Sequence, residues 1–501
     1  MKSKTILVTG GTGYVGGRLI PLLLEKGYRV RAVARSLQKL QSRPWANFPN
    51  VELVAADLLD PMALRKAVAG CGVAYYLVHS MLSRPKIFEH ADRRAAANMA
   101  RAAEEAGLER IIYLGGLGDV SSDLSHHLRS RAEVATILRA GKVPVTVLRA
   151  AMIIGSGSTS FEIVRYLVDR LPVMVIPKWL ETPCQPIAIR NVLNYLTSCL
   201  ERPETKGETY DIGGPDVVSY RKLMELYAEE AGLPKRRLLA IPFLSTRLSA
   251  YWIHLVTPIP GPMARALAEG LRNPVICQDL RILKILPQEL LDCRMAMKLA
   301  LQRVEEDSVK THWSDAGKVP PAEMLYPGDP QWAGGTVFED ERSVKVQASP
   351  GQVWDTIKMI GGTTGWYHAD GLWKLRGFLD RMVGGVGLRR GRRSIQEIRS
   401  GDALDFWRVG HVMEGSELFL IAEMKLPGVA TLEFKIEKDI GDPGCCKLQQ
   451  RARFIPKGLW GILYWYGVLP LHAYVFGGML QKIARAAEAK KGPEDVDRER
   501  G

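Results

Sequence analysis

Along the first two-thirds of the chain, short apolar and β-branched runs alternate with longer stretches whose apolar positions recur at helical spacing. The runs are "TILVTG", "RVRAVAR", "VELVAADL", "VAYYLVHS", "RIIYLGGLG" and "PVTVLRAAMIIG", and "ADRRAAANMARAAEEAG" is typical of what lies between them. Such alternation predicts right-handed βαβ units and a parallel sheet, an α/β architecture. "YDIGGPDVVSYRKLMELYAEEAG" then predicts a late strand, a turn and another helix, and residues 240–310 read as mostly helical with Pro-rich breaks at "TPIPGP".

Beyond "VPPAEMLYPGDPQWAGG", a Pro-, Gly- and Trp-bearing stretch that reads as a linker, the pattern changes. "FEDERSVKVQ", "DALDFWRVGHVM", "LFLIAEMKL", "VATLEFKIEKD" and "CKLQQRARFIP" alternate without long intervening helices, which predicts an antiparallel sheet. A long aromatic-rich helix follows, then a charged tail expected to be disordered. The expected division is residues 1–308, a linker at 309–335, a second domain at 336–488 and the tail at 489–501.

At 501 residues the chain is long for a single core, in keeping with that division. A formal charge of +14 favours anionic partners such as nucleotides or membrane surfaces. No basic stripe interleaved with aromatics matches a nucleic-acid module, so no nucleic acid is expected. "MKSKTILVTG" enters a strand within five residues, leaving no room for a signal peptide's apolar segment. The seven cysteines are scattered without zinc or redox spacing, as expected of free thiols in a cytoplasmic protein.

Gly10, Gly13 and Gly16 directly follow "ILVT" and precede a helix whose Val15, Leu19, Leu22 and Leu23 share one face. Glycines there allow a tight turn and let the backbone approach a pyrophosphate, while the helix N-terminus offers amide donors and partial positive charge. Thr9, Gly10, Gly11, Thr12, Gly13, Tyr14, Val15 and Gly16 are therefore the expected pyrophosphate loop. An acidic residue usually closes the second strand to hold the adenosine ribose. Here Ala34 takes that slot, followed by Arg35 and Ser36, which favours NADP(H), with NAD(H) the alternative.

The segments "VTGGTGYVGGRL", "AADLLDP", "LERIIYLGGLGD", "LRSRAEV" and "VTVLRAAMIIG" resemble the extended and atypical short-chain dehydrogenase/reductase superfamily over residues 1 to 308. The resemblance implies a doubly wound Rossmann sheet with substrate held by a C-terminal lobe. It also implies that Asp57 and Leu58 contact adenine, and that the loop carrying His79 and Ser80 passes the nicotinamide. "TPCQPIAIRNVLNYL" is similar to the segment closing the substrate cleft, with Gln185 and Pro186 at its rim and Arg190 and Asn191 opening the next helix.

The family's Ser and Tyr-x-x-x-Lys are missing. Gly115 and Gly116 stand where the hydroxyl belongs, His127 falls at the Tyr slot and Arg131 at the Lys slot. Imidazole titrates near neutral pH, so His127 is the candidate acid, with Arg131 as a fixed cation. Two readings stay open: a reductase of an apolar carbonyl or quinone-like substrate with a rearranged acid, and a non-catalytic dinucleotide sensor or assembly factor. Nitrogen-regulation redox sensors and an accessory subunit of respiratory complex I are superfamily members of that second kind.

The second domain's order of elements is similar to the helix-grip fold of START-like and polyketide-cyclase-like domains, and its strings also resemble a domain often fused to atypical short-chain dehydrogenases. The helix-grip likeness implies an α+β fold with an apolar cavity for a lipid or other apolar ligand under the final helix. Trp366, Tyr367, Trp373, Phe406 and Trp407 are candidates for its lining or for ordinary core. Arg389, Arg390, Arg392 and Arg393 form a basic cluster that could receive a phosphate or lipid headgroup. The run from Leu459 to Leu480 is long enough to cross a bilayer, but Pro470 interrupts it. It is expected to be a packed helix, with peripheral membrane contact the alternative.

Overall fold

The computed structural model describes residues 4–79, 85–118, 124–241, 246–309, 322–387, 397–439 and 442–489, apart from positions 324, 327, 331 and 443. Ser80, the cluster Arg389–Arg393 and residues 490–501 of the tail lie outside the described residues. The chain divides into two compact units. One takes in residues up to 307 together with 312–335, and the other takes in 308–311 and everything from 336.

In the first unit, β1 (Thr5–Thr9), α1 (Tyr14–Glu25), β2 (Val30–Ala34), α2 (Leu37–Gln41), β3 (Val51–Ala55), α3 (Pro61–Val68) and β4 (Cys71–Tyr76) lead into α4 (Pro85–Glu105) and β5 (Arg110–Gly116). The chain continues through α5 (His126–Arg139), β6 (Val145–Ala150), α6 (Thr159–Arg170), α7 (Ile189–Glu201) and β7 (Thr209–Ile212). These strands form one parallel sheet in the order β7-β6-β5-β4-β1-β2-β3. Ile6, Leu7 and Val8 are all buried because β1 sits mid-sheet with a layer on each face. Leu19, Leu23, Leu193 and Leu196 cover one face, and Leu64, Met99 and Leu138 cover the other.

The chain runs outward from β1 through β2 to β3, then returns to β4 on the other side of β1. That reversal opens a crevice at the carboxyl ends of β1 and β4, where open α/β sheets hold their ligands. A third apolar cluster forms a lobe beyond the strand ends. It draws on α6, α8 (Tyr220–Glu230), α9 (Thr246–Val256), α10 (Gly261–Gly270) and α11 (Cys293–Val309).

Residues 322–335, expected as linker, are built into this unit. The Asp329 carboxylate is buried between two buried guanidiniums, with Arg18 at 2.9 Å and Arg43 at 2.7 Å. Farther along, the Gly334 N–H donates to the buried Glu162 carboxylate at 3.1 Å, which also accepts from the Gly157 N–H at 2.8 Å. Pro and Gly content marked this stretch as irregular, and irregular it is. What composition does not reveal is that buried charges tie it down, Asp329 between Arg18 and Arg43 and Glu162 beneath the Gly334 N–H.

The second unit is a six-stranded antiparallel sheet, β8 (Phe338–Val346), β9 (Ala403–Leu404), β10 (Trp407–Met413), β11 (Glu417–Ala422), β12 (Gly428–Lys438) and β13 (Cys446–Pro456), ordered β8-β13-β12-β11-β10-β9. α12 (Pro350–Ile357) opens on a capping box in which Ser349 and Gln352 satisfy each other's backbone N–H. α13 (Asp370–Met382) and α14 (Gly458–Glu488) complete it. In α14, Val475, Met479, Ile483 and Ala487 recur every four residues and pack with Leu432, Phe434 and Leu448 of the sheet.

Trp366 stacks on Phe406 with ring centroids 5.9 Å apart, in the same core as Trp373 and Trp407. Trp373 and Trp407 also line a cavity of about 270 Å³ between α13, α14 and the sheet, whereas Trp366, Tyr367 and Phe406 do not. No helix among the described residues is long and apolar enough to cross a membrane.

Candidate functional site

The turn after β1 depends on backbone room. Gly10 has φ +74°, the left-handed region that glycine enters freely, and a Cβ there would sit 2.8 Å from the Leu77 carbonyl oxygen. At Gly16 a Cβ would meet the Gly10 carbonyl oxygen at 2.3 Å, so the first turn of α1 lies directly on the loop only because that position lacks a side chain. The Gly13 N–H donates to the Gly10 carbonyl at 2.8 Å and the Gly11 N–H to the Val33 carbonyl at 3.0 Å, which fixes the loop. Gly13, at the N-cap of α1, is exposed and no side chain caps the helix. An uncapped N-terminus with amides facing a glycine cradle suits a diphosphate.

Several side chains of this loop have internal roles. Thr9 Oγ1 donates to the Tyr75 carbonyl at 3.0 Å and accepts from the Leu77 N–H at 3.3 Å, tying the ends of β1 and β4 together. The Tyr14 ring packs under the Arg18 guanidinium, 4.2 Å from it. Its hydroxyl is buried against Gly155, and burial pushes its pKa up. Val15, in the first turn of α1, is partly buried against the core. The Thr12 carbonyl accepts from Arg43, so the same arginine holds both the loop and Asp329. Arg18 extends this tie, donating to the Ala322 carbonyl at 2.7 Å and the Ser156 carbonyl at 3.2 Å. Burial alone would raise the Asp329 pKa, but Arg18 and Arg43 outweigh it and hold the carboxyl below its ordinary value.

At the end of β2, Arg35 is exposed and has no hydrogen-bond or ion-pair partner among the described residues. Ser36 instead caps α2, accepting from the Lys39 N–H at 3.3 Å. Asp57, past β3, is exposed and accepts from the Leu59 N–H at 3.0 Å. Leu58 is buried, with its carbonyl accepting from Asn98 at 2.9 Å.

His79, His127 and Arg131 come together at the carboxyl ends of β4 and β5. Arg131 donates to the Leu114 carbonyl at 3.4 Å, and its side chain lies against Gly116. Desolvation lowers the His79 imidazole well below its ordinary value, and the charges of Arg131 and His127 lower it further. The same two causes, desolvation and then Arg131, bring His127 down to about 3. His127 is therefore a neutral imidazole at physiological pH, which corrects the expectation of an acid titrating near 7. Sequence places a histidine at this slot but not the apolar lobe that surrounds it.

That lobe holds a cavity of about 180 Å³ reached from Gly116, His127 and Met152 and walled by Ile163, Met174 and Met224. Among the described residues no Asp, Glu, Lys or Arg lines it, and the one histidine that does is His127. Gln185 and Pro186 are not among its walls. Gln185 instead pins two loops, donating to the Gly214 carbonyl at 2.8 Å and accepting from the Cys277 N–H at 3.0 Å. Asn191 is buried and accepts from the Leu291 N–H, while Arg190 pairs with Glu323 at 2.8 Å. These polar residues near the expected cleft are structural. The cavity itself is built from ordinary Met, Ile, Leu and Val positions on α6, α8 and α10, which carry no motif. Among the described residues no group of His, Cys, Asp and Glu could hold a metal ion.

Residues 2–245 match the NmrA-like family, and residues 332–479 match a family described as a protein of unknown function, DUF2867. Among curated proteins, cinnamoyl-CoA reductase 1 of Petunia hybrida is 28% identical over 131 residues, 25% of this chain and 38% of that protein. The chloroplastic divinyl chlorophyllide a 8-vinyl-reductase of Zea mays is 26% identical over 224 residues, 42% of this chain and 55% of that protein. The chain thus spans well under two-thirds of either relative. Among solved structures, the triphenylmethane reductase of Citrobacter sp. complexed with NADP(H) covers 59% of this chain and 99% of its own, at 19% identity and a TM-score of 0.48.

Proposed function

We propose that the first unit is an NADP(H)-dependent oxidoreductase acting on an uncharged, apolar carbonyl or quinone-like substrate. The observation that carries this reading is a cavity whose described lining residues include no Asp, Glu, Lys or Arg, ending at a neutral imidazole beside the carboxyl ends of β4 and β5. The NmrA-like match and the cradle that a Cβ at Gly10 or Gly16 would fill support the dinucleotide. In this reading the uncapped N–H groups of the first turn of α1, Tyr14 to Gly16, hold the diphosphate over the glycine loop, and Arg35, without a partner among the described residues, takes the 2′-phosphate. Asp57 and Leu58 flank the adenine, and His79 borders the nicotinamide.

When bound, the coenzyme supplies or accepts a hydride. The chain's own residues do the rest. Arg131 is a fixed cation at the end of β5. His127 donates a neutral N–H to the substrate oxygen and stabilises the negative charge that develops there, a role that needs no imidazolium; in the reducing direction the oxyanion takes its proton from solvent as the product leaves. The apolar walls exclude water and strengthen that hydrogen bond. Val175 and Trp252 line the cavity and are also exposed, so an apolar molecule meets an apolar entrance.

The test is NADPH consumption, followed by absorbance, with a panel of quinones and apolar aldehydes against carboxylated analogues of the same size. Turnover confined to the uncharged members supports the reading. Coenzyme binding without turnover on any of them favours the second reading, a dinucleotide sensor or assembly factor, which the absence of the family's Ser, Tyr and Lys keeps in view.

Two further outcomes follow. Gly16→Ala should weaken NADPH binding by about ten- to a hundredfold, the effect of an overpacked contact that pushes α1 off the loop. Isothermal titration checks it. Arg35→Ala should weaken NADPH by a similar about ten- to a hundredfold, the loss of a charge-assisted contact, and leave NADH affinity unchanged. Equal loss for both coenzymes would place the arginine elsewhere.

We read the second unit as a helix-grip-like ligand domain. Its antiparallel sheet, its long final helix and the cavity between them support that reading.

A further inference from the structure

The second unit exposes an unusual amount of apolar surface. On α13, Leu375, Phe378, Leu379 and Met382 recur at spacings of three and four residues on one face, with Val383 continuing it, and all are exposed; Met382 is 70% accessible. Such periodicity normally marks a buried face. On α14, Trp460, Leu463, Tyr466, Leu471 and Tyr474 are also exposed, Trp460 by 76%. The two stripes belong to one surface, because Leu375 and Leu379 of α13 and Leu471 of α14 line the same 270 Å³ cavity while remaining open to solvent.

Cations predominate around this surface, although Asp370, at the first position of α13, is also exposed. From Gly371 to Gly387 the sole carboxylate is Asp380, and it is buried, accepting the N–H groups of Gly387 and Lys425. From Lys457 to Ala487 there is no carboxylate at all. Lys374, Arg381, Lys425 and Lys457 are exposed along or beside the stripes.

We propose that this face docks on the surface of an anionic lipid bilayer. Apolar side chains enter the headgroup boundary, Trp460, Tyr466 and Tyr474 take the interfacial position that their amphipathic rings prefer, and the cations meet lipid phosphates. The contact is interfacial, since no helix among the described residues can span. A second copy of the chain is a poorer occupant. Two-fold pairing of this face would set Lys374, Arg381, Lys425 and Lys457 largely against one another, with Asp370 the one exposed carboxylate on either helix between Asp370 and Ala487 to receive them.

The test is co-sedimentation of the full chain with phosphatidylcholine vesicles, with and without phosphatidylglycerol, at low and high salt. Expected are salt-sensitive binding to the anionic vesicles and a weaker association with neutral ones that high salt does not reduce. Phe378→Asp with Met382→Asp should abolish binding while the melting temperature is unchanged. Lys374→Ala with Arg381→Ala, which leaves every apolar group in place, should lower the partition coefficient about thirtyfold, about fivefold per basic residue. The proposal is overturned if the unaltered chain stays in the supernatant or if both double variants sediment like it. It is also overturned if light scattering shows a dimer that Phe378→Asp with Met382→Asp dissociates.

Discussion

Replacing Asp329 with alanine is expected to cost about 3–5 kcal/mol of stability, because it leaves the buried guanidiniums of Arg18 and Arg43 without their shared carboxylate. Chemical denaturation at neutral pH measures it. The pH dependence gives a second signature. The Asp329 pKa is depressed in the folded chain, so its contribution is complete above the ordinary carboxylate range and is lost as the pH falls through the folded value. The gap between variant and parent should therefore narrow below about pH 4. Coenzyme affinity should fall as well, since Arg43 also holds the Thr12 carbonyl of the glycine loop. A variant with unchanged melting behaviour would mean that residues 322–335 do not hold this position in solution.

Replacing His127 with alanine should lower kcat by about a hundred- to a thousandfold, the usual cost of deleting a donor to a developing oxyanion, with little change in NADPH affinity. If the neutral imidazole is the donor, the parent's rate should show no inflection assignable to His127 between pH 5 and 8, since its folded value is about 3. Stability should carry the opposite mark. A histidine that protonates near 6.5 when unfolded but near 3 when folded makes the unfolded chain bind more protons in between. Folding therefore weakens as the pH drops from about 6.5. His127→Gln should relieve that acid sensitivity and, keeping an N–H donor, retain more activity than alanine. A rate unaffected by either change would leave the dinucleotide-sensor reading standing.

The parallel sheet and the glycine turn were legible because both are local. Apolar strand runs, helical spacing and three glycines after "ILVT" each fix their own geometry, and Gly10 and Gly16 have no room for a Cβ. The grouping of His79, His127 and Arg131 was legible through the family pattern. The protonation state of His127 was not, since the residues that desolvate it come from α6, α8 and α10. Arg18 gave one faint signal, a cation inside the otherwise apolar "GGRLIPLLL", yet its carboxylate lies 311 positions downstream. Asn191 opens a helix as its sequence context implied, whereas Gln185, expected at the cleft rim, holds two loops, because a polar residue near a cleft looks the same in sequence whether it faces a ligand or holds a loop. The run from Leu459 to Leu480 is the packed helix expected of it, with Trp465, Val475, Phe476 and Met479 buried, but its uniform apolar composition gave no sign that Trp460, Leu463, Tyr466, Leu471 and Tyr474 would stay exposed.

The position of Asp329 also decides how the protein can be taken apart. Cleavage after residue 308, where the dehydrogenase-like pattern ends, would remove the carboxylate shared by two interior arginines together with the Gly334 amide that Glu162 holds. The fragment would be expected insoluble even though every strand of its sheet is intact. Cleavage after Gly335 keeps both, and a fragment ending there is the one to express for coenzyme titrations.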